Sequence, residues 1–456
     1  MHLKFGLLTI DRFEYNYGTS LQQYATLQIF NQLFKDYNIN ADIEIIDYVP
    51  DCRIKKYTKE HRKNIFQSAR EQLKNFNSII LDDVNTSYFN ARKFYEFEKQ
   101  YLNISKDSFD GYSNLNILNL KYDFLILGSD QTLNPYAYYL EDSFYNMEYF
   151  INKNQILTYA PSMGVKEYPS EVKNRYLKTL KSIKFLSGRE IGQCKLVNEM
   201  LKSNKMQLVL DPTLLLSKEH YEKLENPVMH PEKYFLVISY GGLSDDKIEF
   251  VNNYACKNNL EIIQIGNFVN KNWKFLRTGP AEFLYLIHNA DIIFTDAYHG
   301  TLFSFIYNKN IIYFERENIR TRPDGTMWYS RFESLEQIFN IKNAKYIKGK
   351  AIDEYESIDY SKMNLLINKY QIVSKEFLTK ELNYVKNYKL SYLNKLITLI
   401  QYLCIEAFRI AKLLFRRIYT ILKNIIKFIM LNFHNLYVLL VNIVKRIFII
   451  YKIMRG

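Results

Sequence analysis

Residues 294–314 read FTDAYHGTLFSFIYNKNIIYF. The apolar run Ile292–Thr295 meets Asp296, and a polar turn then carries His299 and Gly300. An amphipathic stretch, Leu302–Tyr307, leads to a second apolar run, Ile311–Phe314. Strand, helix and strand in so few residues, with consecutive apolar side chains in both strands, is the pattern of a parallel sheet covered on both faces. The turn between them lies where open α/β sheets bind ligands, beyond the carboxyl ends of the strands. Thr301 is placed to cap the helix that follows.

The same alternation extends in both directions. Strand patterns at Tyr234–Tyr240 and Glu261–Ile265, with helices at Asp245–Asn258 and Ala281–Asn289, complete one α/β unit. Upstream, strands are expected at Leu3–Ile10, Ile43–Asp47, Phe124–Leu127, Ile156–Ala160, Lys184–Leu186 and Gln207–Leu210, with helices such as Ser20–Phe34 and Ser170–Ser182 between them. The polar, charged region 57–104 has helical spacing and reads as an insertion. NPVMHPE at 226–232, with two prolines and no periodicity, separates the series. The expected fold is therefore α/β, with two Rossmann-like domains, 1–226 and 232–350, facing a cleft. A helical connection, 351–389, and a tail, 390–456, follow.

Apolar residues make up 48% of the 456 positions, and only 15 Gly and 9 Pro are present, which excludes a fibrous or disordered chain. The net charge of +13 is unevenly placed. Of 61 Lys and Arg, 11 lie in 390–456 beside one acid, Glu406, which leaves 50 basic against 47 acidic residues elsewhere. So small an excess on the body argues against nucleic acid as a partner. Cys52, Cys194, Cys256 and Cys404 have no metal-ligand or pairing pattern and suit a reducing compartment. MHLKFGLLTIDRF reads as a first buried strand and not as a signal peptide, so a cytoplasmic location is expected.

On a helical wheel the basic residues of the tail fall in one half and the opposite half carries no charge. The longest uncharged run, Phe428–Val444, holds Asn432, His434, Asn435 and Asn442, and is short and polar for a span. A basic face opposite an apolar face suits a helix in the surface of an anionic membrane. A hairpin packed on its own domains or on a partner, or a true span, are the alternatives.

Four more loops follow strands. In YNYGTSLQQYA, Tyr15–Ala25, Gly18 permits a tight turn, and Thr19 or Ser20 can cap a helix whose amides would meet an anion. LILGSDQTLNP, Leu125–Pro135, crowds Ser129, Asp130, Gln131 and Asn134 at a strand end, suited to sugar hydroxyls or to an Asx turn that stops the strand. YAPSMG, Tyr159–Gly164, reads chiefly as structural. FLSGRE, Phe185–Glu190, offers Arg189 as a fork for phosphate or carboxylate, or as an ion pair with Glu190. LVLDPTLLL, Leu208–Leu216, reads as a structural turn. His299 can give and take a proton near neutrality, and Arg316, Arg320 and Arg322 downstream are candidate anion clamps.

Together NYGTSLQQYA, GSDQTLN, YAPSMG, SGRE, LDPTLLL and TDAYHGTLFSFIYNK resemble, in order, the motifs of the polysaccharide pyruvyl transferase family. The resemblance covers about residues 5–315 and implies a GT-B-like fold. It also implies transfer of a pyruvyl group from phosphoenolpyruvate to a saccharide diol, giving a cyclic ketal in cell-surface polysaccharide biosynthesis. His299 would act as general acid or base, with Asp296 beside it. Arg189, Gly300, Thr301, Arg316, Arg320 and Arg322 would form the donor side. Asn16, Gly18, Thr19, Ser129, Asp130, Gln131 and Asn134 would form the acceptor side. No metal or cofactor is needed beyond phosphoenolpyruvate as co-substrate; the basic amphipathic tail, which lies outside the resemblance, adds the expectation that the acceptor is lipid-linked at the inner membrane face. Two positions depart from the pattern: Ala297 stands where some members carry arginine, and Leu133 where an aromatic residue is usual. The competing readings are a nucleotide-sugar-dependent glycosyltransferase of the same architecture and a catalytically inactive membrane-associated assembly protein.

Overall fold

The computed structural model describes residues 2–10, 16–49, 86–110, 115–135, 145, 147–165, 167–168, 170–316, 331–388 and 392–455. The first sheet contains β1 (Leu3–Leu8), β2 (Ala41–Val49), β3 (Ile104–Asp110), β4 (Phe124–Leu127) and β5 (Ile156–Thr158). All its pairings are parallel, in the order β3-β2-β1-β4-β5. A short parallel pair, β6 (Leu186–Gly188) and β7 (Met206–Leu208), stands apart. The second sheet contains β8 (Tyr234–Ser239), β9 (Glu261–Gly266), β10 (Lys274–Phe275), β11 (Ile292–Thr295) and β12 (Asn310–Tyr313), in the order β10-β9-β8-β11-β12. Its pairings are parallel too. Each sheet thus reverses its winding direction once, between β1 and β4 and between β8 and β11. A crevice opens at such a switch point. The architecture is two Rossmann-like domains in the GT-B-like arrangement.

The apolar runs form strands because both faces are covered. Every residue of β4, β8 and β11 is buried. Leu125, Leu127 and Ile156 enter one core, and Phe235, Val237 and Phe294 another. Each such side chain contributes roughly 1.5–3 kcal/mol on burial. Two strands have no counterpart in the apolar pattern of the sequence, and both lie at sheet edges. β3, ISKDSFD, is mostly polar, and β10 has two residues. The expected insertion 57–104 lies outside the described residues up to 85. From there a helix, Thr86–Tyr101, runs nearly to β3.

Helix α1 spans Tyr17–Asp36, and the Thr86–Tyr101 helix is α2. α3 is Ser170–Ser182, α4 Ile191–Leu201, α5 Asp245–Asn258, α6 Pro280–Asn289 and α7 Tyr298–Ile306. α8 is Arg331–Phe339 and α9 is Tyr360–Asn387. α9 returns to the first domain. Its Ser374 hydroxyl accepts from the Leu210 amide at 2.8 Å, and its Glu381 carboxyl accepts from the Thr158 amide at 3.0 Å. α1 reaches the other way: Tyr17 stacks on Phe283 of α6 at 4.6 Å between ring centres, and its hydroxyl bonds that of Thr278 at 2.7 Å. Lys93 of α2 pairs with Glu282 of α6 at 2.9 Å.

Residues 390–456 form a separate compact unit containing one helix, α10 (Tyr392–Arg455). Among the described residues no helix is long and apolar enough to cross a membrane.

Candidate active site

The loops after β1, β4, β8 and β11 converge on a cavity of about 30 Å³. The first domain lines it with Asn16, Tyr17, Gly18 and Asp130. The second lines it with Tyr240, Phe283, Ala297, Tyr298, His299, Gly300, Arg316 and Arg331. Both switch points therefore open onto the same space.

His299 is only 6% exposed. The expected helix at Leu302 starts earlier, at Tyr298, with Ala297 in extended conformation before it, so His299 sits in the first turn. Thr301 consequently caps nothing: it is fully buried and its hydroxyl donates to the Ala297 carbonyl at 3.3 Å. Gly300 is required by packing, since a Cβ there would meet the Thr295 hydroxyl at 2.9 Å. Nε2 of His299 is buried and unbonded, 3.6 Å from an Asp211 carboxylate oxygen. Nδ1 lies over Gly18, where a Cβ would come within 2.0 Å of it. Gly18 is thus the gap in α1 that admits the imidazole from the other domain.

α1 is capped by Asn16 and not by Thr19 or Ser20. The Asn16 side chain accepts from the amides of Gly18 at 2.9 Å and Thr19 at 3.4 Å. Asn16 and Gly18 line the cavity, whereas Thr19 is buried and absent from its wall.

Arg189 does not face the cavity as an open fork. Its side chain is fully buried. Nη2 bonds Asp130 at 3.0 Å, Nη1 bonds Asp211 at 2.6 Å, and Nε bonds Glu190 at 3.1 Å. It is a structural hub. Removing one partner of a buried ionic network of this kind costs about 3–5 kcal/mol. Burial pushes Asp211 up, yet His299 and Arg189 hold its carboxyl far below the usual range. Burial likewise opposes ionisation of Asp130, which Arg189, His299 and Arg331 still hold below the ordinary value. Burial wins at Glu190, whose carboxyl is raised despite Arg189.

Asp130 has φ +69° and ψ −168°, a region nearly reserved for glycine and costing about 1–3 kcal/mol. This conformation turns its carboxylate onto Arg189 at the cavity wall. Ser129 is spent inside, donating to Asp211 at 3.0 Å. Gln131 and Asn134 bond one another at 2.7 Å and do not line the cavity.

Asp296 is also turned inward. Its fully buried carboxylate accepts from the amides of Tyr240 at 2.9 Å and Gly241 at 2.7 Å, and pairs with Arg316 at 3.3 Å. Burial raises its pKa against Arg316 and the two amides. The carboxylate fixes the loop after β8 and aims Arg316, and among the described residues its hydrogen bonds and ion pair go to these groups and to Ser239.

The guanidinium groups on the cavity wall belong to Arg316 and Arg331. Arg320 and Arg322 lie outside the described residues. Arg331 begins α8, and burial lowers its pKa. The Tyr298 ring centre lies 4.5 Å from the Arg189 guanidinium and 5.3 Å from that of Arg331. Asp211, Tyr298, Tyr240 and Arg331 are not singled out by the sequence. Only Asp211 leaves a signal, in LDPT. Its Oδ1 does cap the following turn, at 3.1 Å from the Thr213 amide, while Oδ2 serves Arg189 and His299. Among the described residues no group of three or more His, Cys, Asp and Glu is placed to hold a metal ion.

A family model for polysaccharide pyruvyl transferases matches residues 16–318, which contain every cavity residue named above except Arg331. The chain belongs to that family. No curated protein sequence matches it. Among solved structures it is similar to the UDP-GlcNAc 2-epimerase of Methanocaldococcus jannaschii in complex with UDP-GlcNAc and UDP, at 16% identity over 84% of this chain and 100% of that one, with a TM-score of 0.39. It is similar to the Neisseria meningitidis UDP-GlcNAc 2-epimerase at 12% identity, 83% and 100% coverage, and a TM-score of 0.40. The S. aureus MnaA–UDP structure gives 12% identity, 86% and 97% coverage, and a TM-score of 0.43.

Proposed function

We propose that this transferase moves a pyruvyl group from phosphoenolpyruvate to two hydroxyls of a saccharide, forming a cyclic ketal during polysaccharide biosynthesis. The observation that carries the reading is the meeting of one imidazole, His299, and two guanidiniums, Arg316 and Arg331, on one cavity wall. Phosphoenolpyruvate has two anionic groups and needs a proton at its methylene carbon, and this wall supplies those complements. Protonation places positive charge on C2, and a sugar hydroxyl attacks there and loses its proton. A second hydroxyl then displaces inorganic phosphate from the same carbon, closing the ketal. No redox step or further cofactor enters this balance.

In this reading Nδ1 of His299, on the cavity side at Gly18, transfers the proton. Asp211 positions the ring from the opposite nitrogen. Arg316 and Arg331 take the phosphate and carboxylate, so the donor clamp absent at Ala297 comes from α8. Arg189 holds Asp130 and Asp211 in place and does not touch the donor. Asp130, whose contacts to Arg189 and Gln131 all use Oδ1, offers Oδ2 to an acceptor hydroxyl alongside Asn16.

The test is incubation with phosphoenolpyruvate and candidate saccharides, following phosphate release and the ketal methyl signal by NMR. His299→Ala should lose both. Equal turnover in variant and parent ends this mechanism. Stabilisation by nucleoside diphosphates but not phosphoenolpyruvate would favour a nucleotide-sugar glycosyltransferase.

A further inference from the structure

We propose that residues 399–428 of α10 dock in the plane of an anionic lipid bilayer. Along this stretch Leu403, Ile410, Leu414, Ile421, Ile425 and Phe428 are between 48% and 68% exposed. Their spacings of seven, four, seven, four and three residues place them within about 60° of one another on a helix. Arg409, Lys412, Arg416, Lys423 and Lys427 fall within a similar arc roughly opposite, and Arg417 lies at the border. An exposed aliphatic strip of this length, roughly 45 Å over 30 residues, marks an interaction surface.

The charge selects the occupant. The tail carries 11 basic residues and one acid, Glu406. A second copy packed on the strip would leave the basic face opposite it without partners, because the tail offers a single acid, Glu406. An anionic headgroup layer satisfies the basic side chains while acyl chains cover the Leu, Ile and Phe strip. The helix lies in the surface because it is not apolar enough to cross. The strip also ends where the sequence breaks it, at Asn432, which takes a position within the apolar arc. Docked in this way, the chain would stand at the cytoplasmic face, where a lipid-linked acceptor could meet it. The inference rests on the tail alone and survives if the donor is not phosphoenolpyruvate.

The test is co-sedimentation of the full-length chain with vesicles of phosphatidylcholine alone and with one-third phosphatidylglycerol, at low and high salt. At least tenfold more binding to the anionic vesicles is expected, declining with salt. Arg409→Glu/Arg416→Glu/Lys423→Glu and Leu414→Ser/Ile421→Ser should each abolish most of it, with unchanged thermal unfolding of the body. Equal binding to both vesicle types, or full binding by the charge-reversed chain, overturns the proposal. So does failure to bind either vesicle while sedimentation reveals an oligomer that Leu414→Ser/Ile421→Ser dissolves.

Discussion

Gly18→Ala should disable the enzyme while leaving it folded. The new Cβ would lie 2.0 Å from Nδ1, 2.4 Å from Cγ and 2.8 Å from Cβ of His299. Ordinary contact between such atoms begins near 3.5 Å, so the ring must retreat by about 1.5 Å or the two domains must part. Retreat toward Nε2 is limited, because Asp211 stands 3.6 Å away there. Backbone strain plays no part: Gly18 has no positive φ and lies within α1. In an unencumbered helix alanine would be favoured over glycine by about 1 kcal/mol. Overpacking costs roughly 1–3 kcal/mol, so the net stability change is small.

Catalysis bears the larger loss. Misplacing a reacting group by about 1 Å costs on the order of 100-fold, about 2.7 kcal/mol of barrier. Phosphate release under steady-state conditions and thermal unfolding, measured on the same preparations, separate the two effects. The expected result is a fall in kcat/KM of about 100-fold with Tm displaced by only a few degrees. A folded Gly18→Ala enzyme retaining a third or more of parental kcat/KM would refute the reasoning, because the imidazole could not then work against α1.

Asp211→Asn should lower kcat/KM at least tenfold; an unchanged kcat/KM rules out its positioning role. Because the folded carboxyl titrates below its unfolded value near 4, its stabilisation is present above that pH and drains as pH falls. The Tm gap between parent and variant should therefore narrow below about pH 4. Arg331→Gln should raise KM for phosphoenolpyruvate tenfold or more at unchanged Tm, with partial recovery in Arg331→Lys, whereas Arg189→Gln should lower stability by about 3–5 kcal/mol. Glu381, fully buried with Oε2 unbonded, has its pKa raised by burial. A carboxyl whose folded pKa exceeds its unfolded one costs stability once the pH passes the unfolded value. Glu381→Gln should thus raise Tm at neutral pH, with the gain vanishing below about pH 4; a gain independent of pH contradicts this.

The sheets are legible in the sequence because parallel strands buried on both faces must be apolar without interruption, as at Ile292–Thr295 and Tyr234–Ser239. β3 is not, because an edge strand answers to one neighbour and tolerates ISKDSFD. The start of α7 is hidden at His299–Gly300, a pair that looks like a turn locally. The glycine is there for contact with Thr295, which only the folded β11–α7 unit creates. Arg189 is legible as an arginine at a strand end, but its acids lie 59, 1 and 22 residues away in sequence. No local pattern distinguishes an arginine awaiting a ligand from one already neutralised by the fold.

That distinction explains how the site divides its labour. A guanidinium with three buried carboxylates has no vacancy for an anion, and removing it exposes those charges to one another. It therefore sets the geometry of Asp130 and Asp211. The cavity wall instead carries cations whose burial is incomplete and whose pairing is weaker: Arg316, 38% exposed beside Asp296, and Arg331, 3.8 Å from Asp130. The imidazole joins the two sets, with Nε2 toward Asp211 and Nδ1 against Gly18. Its entry depends on a missing methyl group in the opposite domain. The fit of His299 against Gly18 thus ties the two domains together where α1 meets α7.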